Sequence, residues 1–554
     1  MLKYAIYISF VVFLLCLHQN TAAQTPRLIE FIDKSNSPFS LQRPQEFLSE
    51  KAINRRNRQK ISLTTKDLPV NPAYLAAIQQ AGGVVRYPLK WSNSCVVICN
   101  EAVFNTIRQL SFVKSAKQLS ETLRGEEAPK LFEYQALKST ENLQNTGRTE
   151  ENYGISQKQI AMLGIDDMHN AGYTGKGMTI AVFDSGFPNV DVNKLSSYSR
   201  MNILGTHNYV YSNNLVYGYD PAGHGTNVLS LMAAYRPQEL IGGAFEASYY
   251  LFITEDVRGN LDDPIEETNW AAAAERADSL GVDIINSSLG YNYFNNSTFN
   301  YKQTDLNGKT SIISRAAATA AATGMIVVSS AGNLFEREWT KIKMPADADS
   351  ILAVGAVNSE STWIATSLQG NTTDGRVKPD VAALGSGVVY AASFGVTTGS
   401  GTSYAAPLVA GLVAGLWQAN PTKTNIEIMD MVRKSASKYA TPDTQVGYGI
   451  PNYKKAMMIV SSDEQLFEEQ AITLFPNPTP EDKFYLQFDD KYLLTTCEIT
   501  LTDLSGKVIW ANQVVVSQTK MPILLPKNSL SNGVYLVQIK SKKFNVVKKL
   551  VVEF

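Results

Sequence analysis

Between Tyr153 and about Val460, short apolar runs alternate with helical segments, and two of those runs end abruptly in a polar residue beside glycine. "GMTIAVFDSG" closes on Asp184 and "GMIVVSSAGN" closes on Asn333. Such alternation predicts a mostly parallel sheet with helices on both faces, because parallel neighbours need crossover connections. An α/β fold of this kind binds its ligands beyond the carboxyl ends of its strands. Polar residues at those ends are therefore the first candidates for a site.

The flanks follow other patterns. Residues 24–150 read as a small α+β unit and a linker. Asn71 caps a helix in "NPAYLAAIQQAGG" with Pro72 at its first position, and "GVVRYPL" and "CVVI" are strands. Asn100 caps "NEAVFNTIRQL", "FVKSAKQL" is a strand, and the polar "STENLQNTGRTEENYG" is the linker. Residues 461–554 carry short alternating strands and turn signals such as "LFPNPTPED", "DLSGK" and "LSNGVY", which predict a β-sandwich module. Residues 151–460 lie between as the α/β domain.

Residues 1–23 read as a signal peptide. Lys3 precedes the 14-residue run Tyr4–Leu17, and Ala22 and Ala23 supply small residues for cleavage. That run is short for a membrane span. No other segment is long and apolar enough, so the expectation is an exported chain without a transmembrane anchor. With 50 basic against 51 acidic residues the net charge is −1, which argues against nucleic acid as a partner. Cys95 and Cys99, four residues apart along one strand, are separated by roughly 13 Å. That is beyond disulfide reach, and no cluster of further ligands suggests a metal. They read as small buried hydrophobes.

The chain has four histidines. His18 belongs to the signal peptide, His169 reads as an ordinary surface-helix residue, and His207 has no evident partner. His224, in "DPAGHGTNVLSLMAA", sits between glycines at a helix start. Ser403, in "TTGSGTSYAAPLVAGLVAGL", sits at the same kind of junction, before a run of small apolar residues. Serine nucleophiles need a base to take the hydroxyl proton and a third group to hold that base. Asp184, His224 and Ser403 supply all three, in that order. An α/β-hydrolase order requires a histidine after the serine, and none lies beyond residue 224. A chymotrypsin-like enzyme would be all-β. The amide of Asn333, with the N–H of Ser403, suits the oxyanion of a tetrahedral intermediate.

Together "AVFDSG", "GHGT", "SSAGN" and "GTSYAAP" resemble the motifs of the subtilisin-like serine peptidases (peptidase S8), over about Tyr153 to Val460. "GYTGKGMTIAV", "VDIINSSLG", "ILAVGAV" and "GRVKPDVAA" agree. The resemblance implies that Asp184 orients, His224 acts as base and then acid, Ser403 attacks and Asn333 stabilises the oxyanion. It also implies that substrate pairs with Ser288, Leu289 and Gly290, and that Ser330, Ala331 and Gly332 line the primary specificity pocket. The segment before the linker resembles a subtilisin inhibitory propeptide. The C-terminal module, with "LFPNPT", "DLSGKVIW" and "NGVYLVQI", resembles the sorting domain of type IX secretion. Lys542, Lys543, Lys548 and Lys549 in that module read equally as solvated strand edges.

The chain is thus expected to be an exported serine endopeptidase, secreted or at the surface of a bacterium and made as a zymogen. Its partners would be polypeptide substrates, its own propeptide and the secretion machinery. The alternative is a catalytically silent subtilisin scaffold that binds a partner at the surface. The chemistry needs no cofactor; calcium often stabilises the family, and no complete ligand set can be matched. Departures from the common pattern are Tyr404, Leu408 and Leu384. Apolar Leu334, next to Asn333, favours an apolar or aromatic residue at the cleaved position. Activity is expected to fall below about pH 6–7 as His224 protonates.

Overall fold

Seven strands, buried or nearly so except for the edge strand β6, form one parallel sheet in the order β13-β12-β11-β10-β5-β9-β6. In chain order they are β5 (Thr179–Asp184), β6 (Asn202–Asn208), β9 (Ser248–Ile253), β10 (Ile284–Ser287), β11 (Ile326–Ser330), β12 (Leu352–Val357) and β13 (Val381–Leu384). The small hairpin of β7 (Tyr235–Arg236) and β8 (Leu240–Ile241) stands apart, as does the hairpin of β14 (Val388–Ala392) and β15 (Gly395–Gly399). The computed structural model describes residues 24–120, 152–193, 197–259, 261–334, 338–392, 395–459, 471–481, 483–525, 530–541 and 544–553. The expected signal peptide, most of the linker, and Lys542 and Lys543 lie outside them.

Side chains alternate between the two faces of a strand. Ala181, Phe183, Ile285, Val327 and Ala353 therefore share one face, where they pack with the helices Pro264–Leu280 and Ile312–Ala322. The helices His224–Ala233 and Thr402–Ala419 pack together against the other. Pro264–Leu280 starts as its sequence dictates, with Asp263 and Glu266 closing a capping box and Pro264 at the first position. Thr402–Ala419 is buried from Thr402 to Trp417 except at Tyr404, so its run of small residues is a fit to a crowded core. Pro407 falls in its second turn.

Residues 24–120 form a four-stranded antiparallel sheet in the order β2-β3-β1-β4. Its strands are β1 (Thr25–Phe31), β2 (Val84–Leu89), β3 (Ser94–Cys99) and β4 (Val113–Gln118). One face carries the helices Pro72–Gln80 and Glu101–Ile107 around a core that includes Cys95 and Cys99, both free thiols. The side chains of Asn71 and Asn100 cap those helices. The other face, with Leu28, Leu89 and Val96, joins the core beneath Pro264–Leu280. The sequence reading missed β1 and the helix Glu50–Arg58. That helix has a mean composition so charged that it reads as exposed, yet Arg55 and Arg56 are buried.

The chain divides into two compact units at Lys454/Lys455. The second holds a three-stranded antiparallel sheet (Thr473–Phe475, Lys483–Gln487, Lys520–Leu524) and a four-stranded one (Val508–Val515, Thr496–Asp503, Gly533–Lys540, Asn545–Val552). Phe484, Leu486, Ile499, Leu501, Val537 and Val546 share one core between them. The alternation of Asn545–Val552 leaves Lys549 on the exposed face.

Candidate active site

The switch in strand order lies between β5 and β10, where one set of strands runs outward to each side. There the carboxyl ends open a crevice. Asp184 is the last residue of β5 and is fully buried. Its Oδ1 accepts from the N–H of Ser185 at 2.9 Å and from the Nδ1–H of His224 at 2.7 Å. His224 opens its helix, as the glycine-flanked motif predicts. A Cβ at Gly225 would lie 2.3 Å from the Gly186 carbonyl, so the glycine after the histidine is what allows the two loops to close up.

Sequence reasoning missed what holds that helix start. Asp220, four residues before His224, accepts its backbone N–H at 2.8 Å and that of Ala222 at 3.0 Å. The same carboxylate takes the Ser185 hydroxyl at 2.7 Å, tying the histidine's backbone to the residue after Asp184. An aspartate just upstream of a helix start was the available signal.

Ser403 is the second residue of Thr402–Ala419 and is 9% exposed. Its Oγ donates to the Ser288 carbonyl at 3.2 Å, and the Ser288 hydroxyl donates back to the Ser403 carbonyl at 2.8 Å. Its N–H lies in the first helical turn, where N–H groups lack intrahelical acceptors. Asn333 Oδ1 accepts from the N–H of Thr402 at 2.9 Å and from its hydroxyl at 3.1 Å. With the amide oxygen so occupied, its NH₂ is the group left to donate.

Ser185, His224, Ser288, Leu289, Gly290, Ser330, Gly332, Asn333 and Ser403 line one cleft of about 810 Å³. Ala331 does not line it. Its side chain is buried in the core, and its backbone is spent on Val354 and Lys343. Leu334 does not line it either; it is 38% exposed and bonded to the Thr366 carbonyl. Tyr404 stacks on Tyr390 at 4.7 Å, with its ring 6.4 Å from that of His224.

Burial pushes the His224 ring down, but the charge and hydrogen bond of Asp184, with Asp220 and Glu255 behind them, outweigh it and hold the ring up at about 9. Two of the other histidines differ from expectation. His169 is not a surface residue: it bonds the Tyr153 hydroxyl and the Gly243 carbonyl, and burial pushes its ring down to about 4. His207 pairs with Asn214 at 2.9 Å.

Among the described residues, Glu255, Asp262 and Glu266 bring carboxylate oxygens within 4.8 Å of one another. Calcium takes six to eight oxygens. Here both Glu266 oxygens accept backbone N–H groups, from Asp256 at 3.0 Å and Asp263 at 2.7 Å, and Glu255 accepts the Tyr291 hydroxyl at 2.5 Å. Burial and mutual repulsion push Glu255 and Glu266 well above the carboxylate range.

Three family models match. That of the subtilase family covers residues 175–449, a peptidase S8 propeptide domain of Bacteroidota covers 26–132, and a secretion system C-terminal sorting domain covers 473–553. The chain is similar to the minor extracellular protease Epr of Bacillus subtilis, with 26% identity over 55% of this chain and 42% of that one. It thus spans less than half of that relative. It is 30% identical to subtilisin of Bacillus pumilus over 55% of this chain and 98% of that one. The solved structure of MycP1 from Mycobacterium smegmatis matches at 20% identity and a TM-score of 0.44, over 56% of this chain and 86% of that one.

Proposed function

This chain belongs to the subtilase family, and from that premise we infer that it is an exported serine endopeptidase, made as a zymogen and working through Asp184, His224 and Ser403. The observation that carries this reading is the 2.7 Å hydrogen bond between His224 and Asp184 at the strand ends, in the cleft that Ser403 also lines. A buried carboxylate on Nδ1 fixes the tautomer that leaves Nε2 free to accept a proton, and it stabilises the imidazolium that forms.

Ser403 Oγ rests on the Ser288 carbonyl. A substrate strand pairing along Ser288–Gly290 takes that carbonyl for its own N–H, which frees Oγ to turn to His224 and attack. The oxyanion then meets the Asn333 NH₂ and the Ser403 N–H. The acyl-enzyme forms as His224 returns the proton to the leaving amine, and water repeats the sequence in reverse. Asn333→Ala is expected to lower kcat by about 100- to 1000-fold with little change in KM, the range known from subtilisin itself. Steady-state kinetics check this, and a loss confined to KM would remove Asn333 from the oxyanion role.

The ordinary histidine value would place the acid limb of the rate profile near pH 6–7. With the ring held at about 9, His224 stays protonated over a wider range, and only the neutral ring can take the serine proton. kcat/KM is therefore expected to rise with pH up to about 9. The imidazolium–Asp184 pair also stabilises the fold. That contribution is complete below about pH 6.5, the unfolded ring's value, and is lost as pH rises through about 9. A pH–rate profile that is flat from pH 6 to 9 would count against His224 as the base.

The flanking matches support the rest of the reading. Residues 24–120 are the propeptide that inhibits the site until it is cut away, and the C-terminal unit directs export through type IX secretion to the surface or the medium. No helix among the described residues is long and apolar enough to cross a membrane.

A further inference from the structure

The cleft narrows where a substrate would seat the side chain of the residue under attack. A substrate strand along Ser288–Gly290, with its carbonyl oxygen at Asn333 and the Ser403 N–H, sends that side chain between Ser288–Gly290 and Ser330–Gly332, the segment that runs directly into Asn333. Both segments end in glycine, so the gap between them has bare backbone for its walls.

Lys343 closes this gap. Its N–H donates to the carbonyl of Ala331, beside Gly332, at 3.0 Å. Met344 next to it exchanges backbone hydrogen bonds with Tyr291, beside Gly290, at 2.8 and 3.2 Å. The pair Lys343–Met344 is thereby stapled across both walls. A Cβ added at Gly290 would lie 2.9 Å from Lys343 Cβ, and one added at Gly332 would lie 3.3 Å from that same atom and 3.0 Å from Lys343 Cγ. Leu368 Cδ1 crowds the Gly332 position as well, at 3.0 Å. Even a methyl group on either wall is thus too much for the space left. A lysine's Cβ is placed by its backbone, and rotation about χ1 moves only what lies beyond it, so this closure holds wherever the ammonium reaches. Leu334, the residue that favoured an apolar or aromatic choice, stands outside the cleft lining.

We propose that Lys343 makes the peptidase selective for small residues, glycine, alanine or serine, at the position whose carbonyl Ser403 attacks. This rests on the peptidase reading above. The lysine acts by the volume of its Cβ and Cγ. An alanine methyl needs only the mouth of the gap, whereas a phenylalanine ring or a glutamate chain needs the space that Lys343 and Leu368 hold. Admitting either means moving stapled backbone, and extra carbon atoms forced into a filled site cost roughly ten- to a hundredfold in rate.

The test compares fluorogenic peptides identical but for alanine, phenylalanine or glutamate at the cleaved residue. The protein is expressed as the full chain and allowed to process itself, as wild type, Lys343→Ala and Lys343→Gly. The expected result is a ten- to hundredfold higher kcat/KM for alanine than for either larger residue in the wild type. Lys343→Gly, which removes the Cβ, brings phenylalanine level with alanine, and Lys343→Ala, which keeps it, falls between. Equal use of alanine and phenylalanine by the wild type, or an unchanged ratio in Lys343→Gly, overturns the assignment. A wild-type preference for glutamate overturns it too, because the ammonium and not the stem would then read the side chain. Labelling with a fluorophosphonate, which needs only an activated serine, shows which proteins are folded and competent. If Lys343→Gly does not label, Lys343→Ala decides, and a wild-type ratio there overturns the role of the stem. Labelled wild type without a small-residue preference overturns the role of Lys343 alone, and wild type that neither labels nor cleaves overturns the peptidase reading with it.

Discussion

Ser403→Ala is expected to lower turnover by about a million-fold, the loss seen on removing the corresponding serine from subtilisin itself. No neighbouring group can replace it. The adjacent hydroxyls are committed, that of Thr402 to Asn333 and that of Ser288 to the Ser403 carbonyl. Ser403 is small and barely exposed, and its one hydrogen bond is a 3.2 Å contact, so the alanine protein should fold as the wild type does. The most direct measurement is the intact mass of both proteins after incubation at neutral pH. The wild type is expected to shed a fragment ending in the segment between residues 121 and 152, and the alanine protein to stay whole. Trimming of both alike would mean that another protease does the cutting. If both stay whole, a silent scaffold explains the chain better than a self-processing zymogen.

The second large effect concerns the docking of the propeptide. Asp278, on the helix Pro264–Leu280, is fully buried and meets three cations that all come from residues 24–120. Arg55 reaches it at 2.6 Å, Arg56 at 2.8 Å and Lys90 at 2.8 Å. Burial alone would raise its carboxyl; the three cations reverse this and hold it far below the usual range. Arg55 and Arg56, 1% and 2% exposed, depend on it in turn. Arg55 also donates to the Thr323 and Val282 carbonyls, and Arg56 to Asp67. Removing one partner of such a buried group leaves the others uncompensated and costs about 3–5 kcal/mol. Asp278→Asn, made in the Ser403→Ala background so that the propeptide stays attached, should lower the melting temperature by several degrees. Exchanging Asp278, Arg55 and Arg56 together with their remaining partners Lys90 and Asp67 for apolar residues of similar size should cost less, because no charge of the cluster is then stranded. An unchanged melting temperature for Asp278→Asn would show that water reaches the cluster. Cutting residues 24–120 away would take all three partners from Asp278 at once.

Much of this protein was legible in one dimension. Apolar strands that stop at Asp184 and Asn333, helices that start at His224 and Thr402, and the caps at Asn71 and Asn100 are local signals, because strand ends and helix starts are written within a few residues of themselves. The order of Asp184, His224 and Ser403 was enough to choose among serine-hydrolase folds. The cluster around Asp278 was hidden, because its cations lie 188 to 223 residues away from it along the chain and each alone looks like a solvated charge. His169 was misjudged for a related reason: its partners, the Tyr153 hydroxyl and the Gly243 carbonyl, come from separate turns.

The sequence by itself therefore determined the sheet and the family to which the chain belongs, which depend on local pattern and on order along the chain. Only the tertiary structure decided which atoms share the cleft. It moved Ala331 and Leu334 out of it, brought Lys343 between two glycines, and set Asp220 beneath His224. Burial and the charge of distant neighbours act through space, and they are added only when the chain closes on itself.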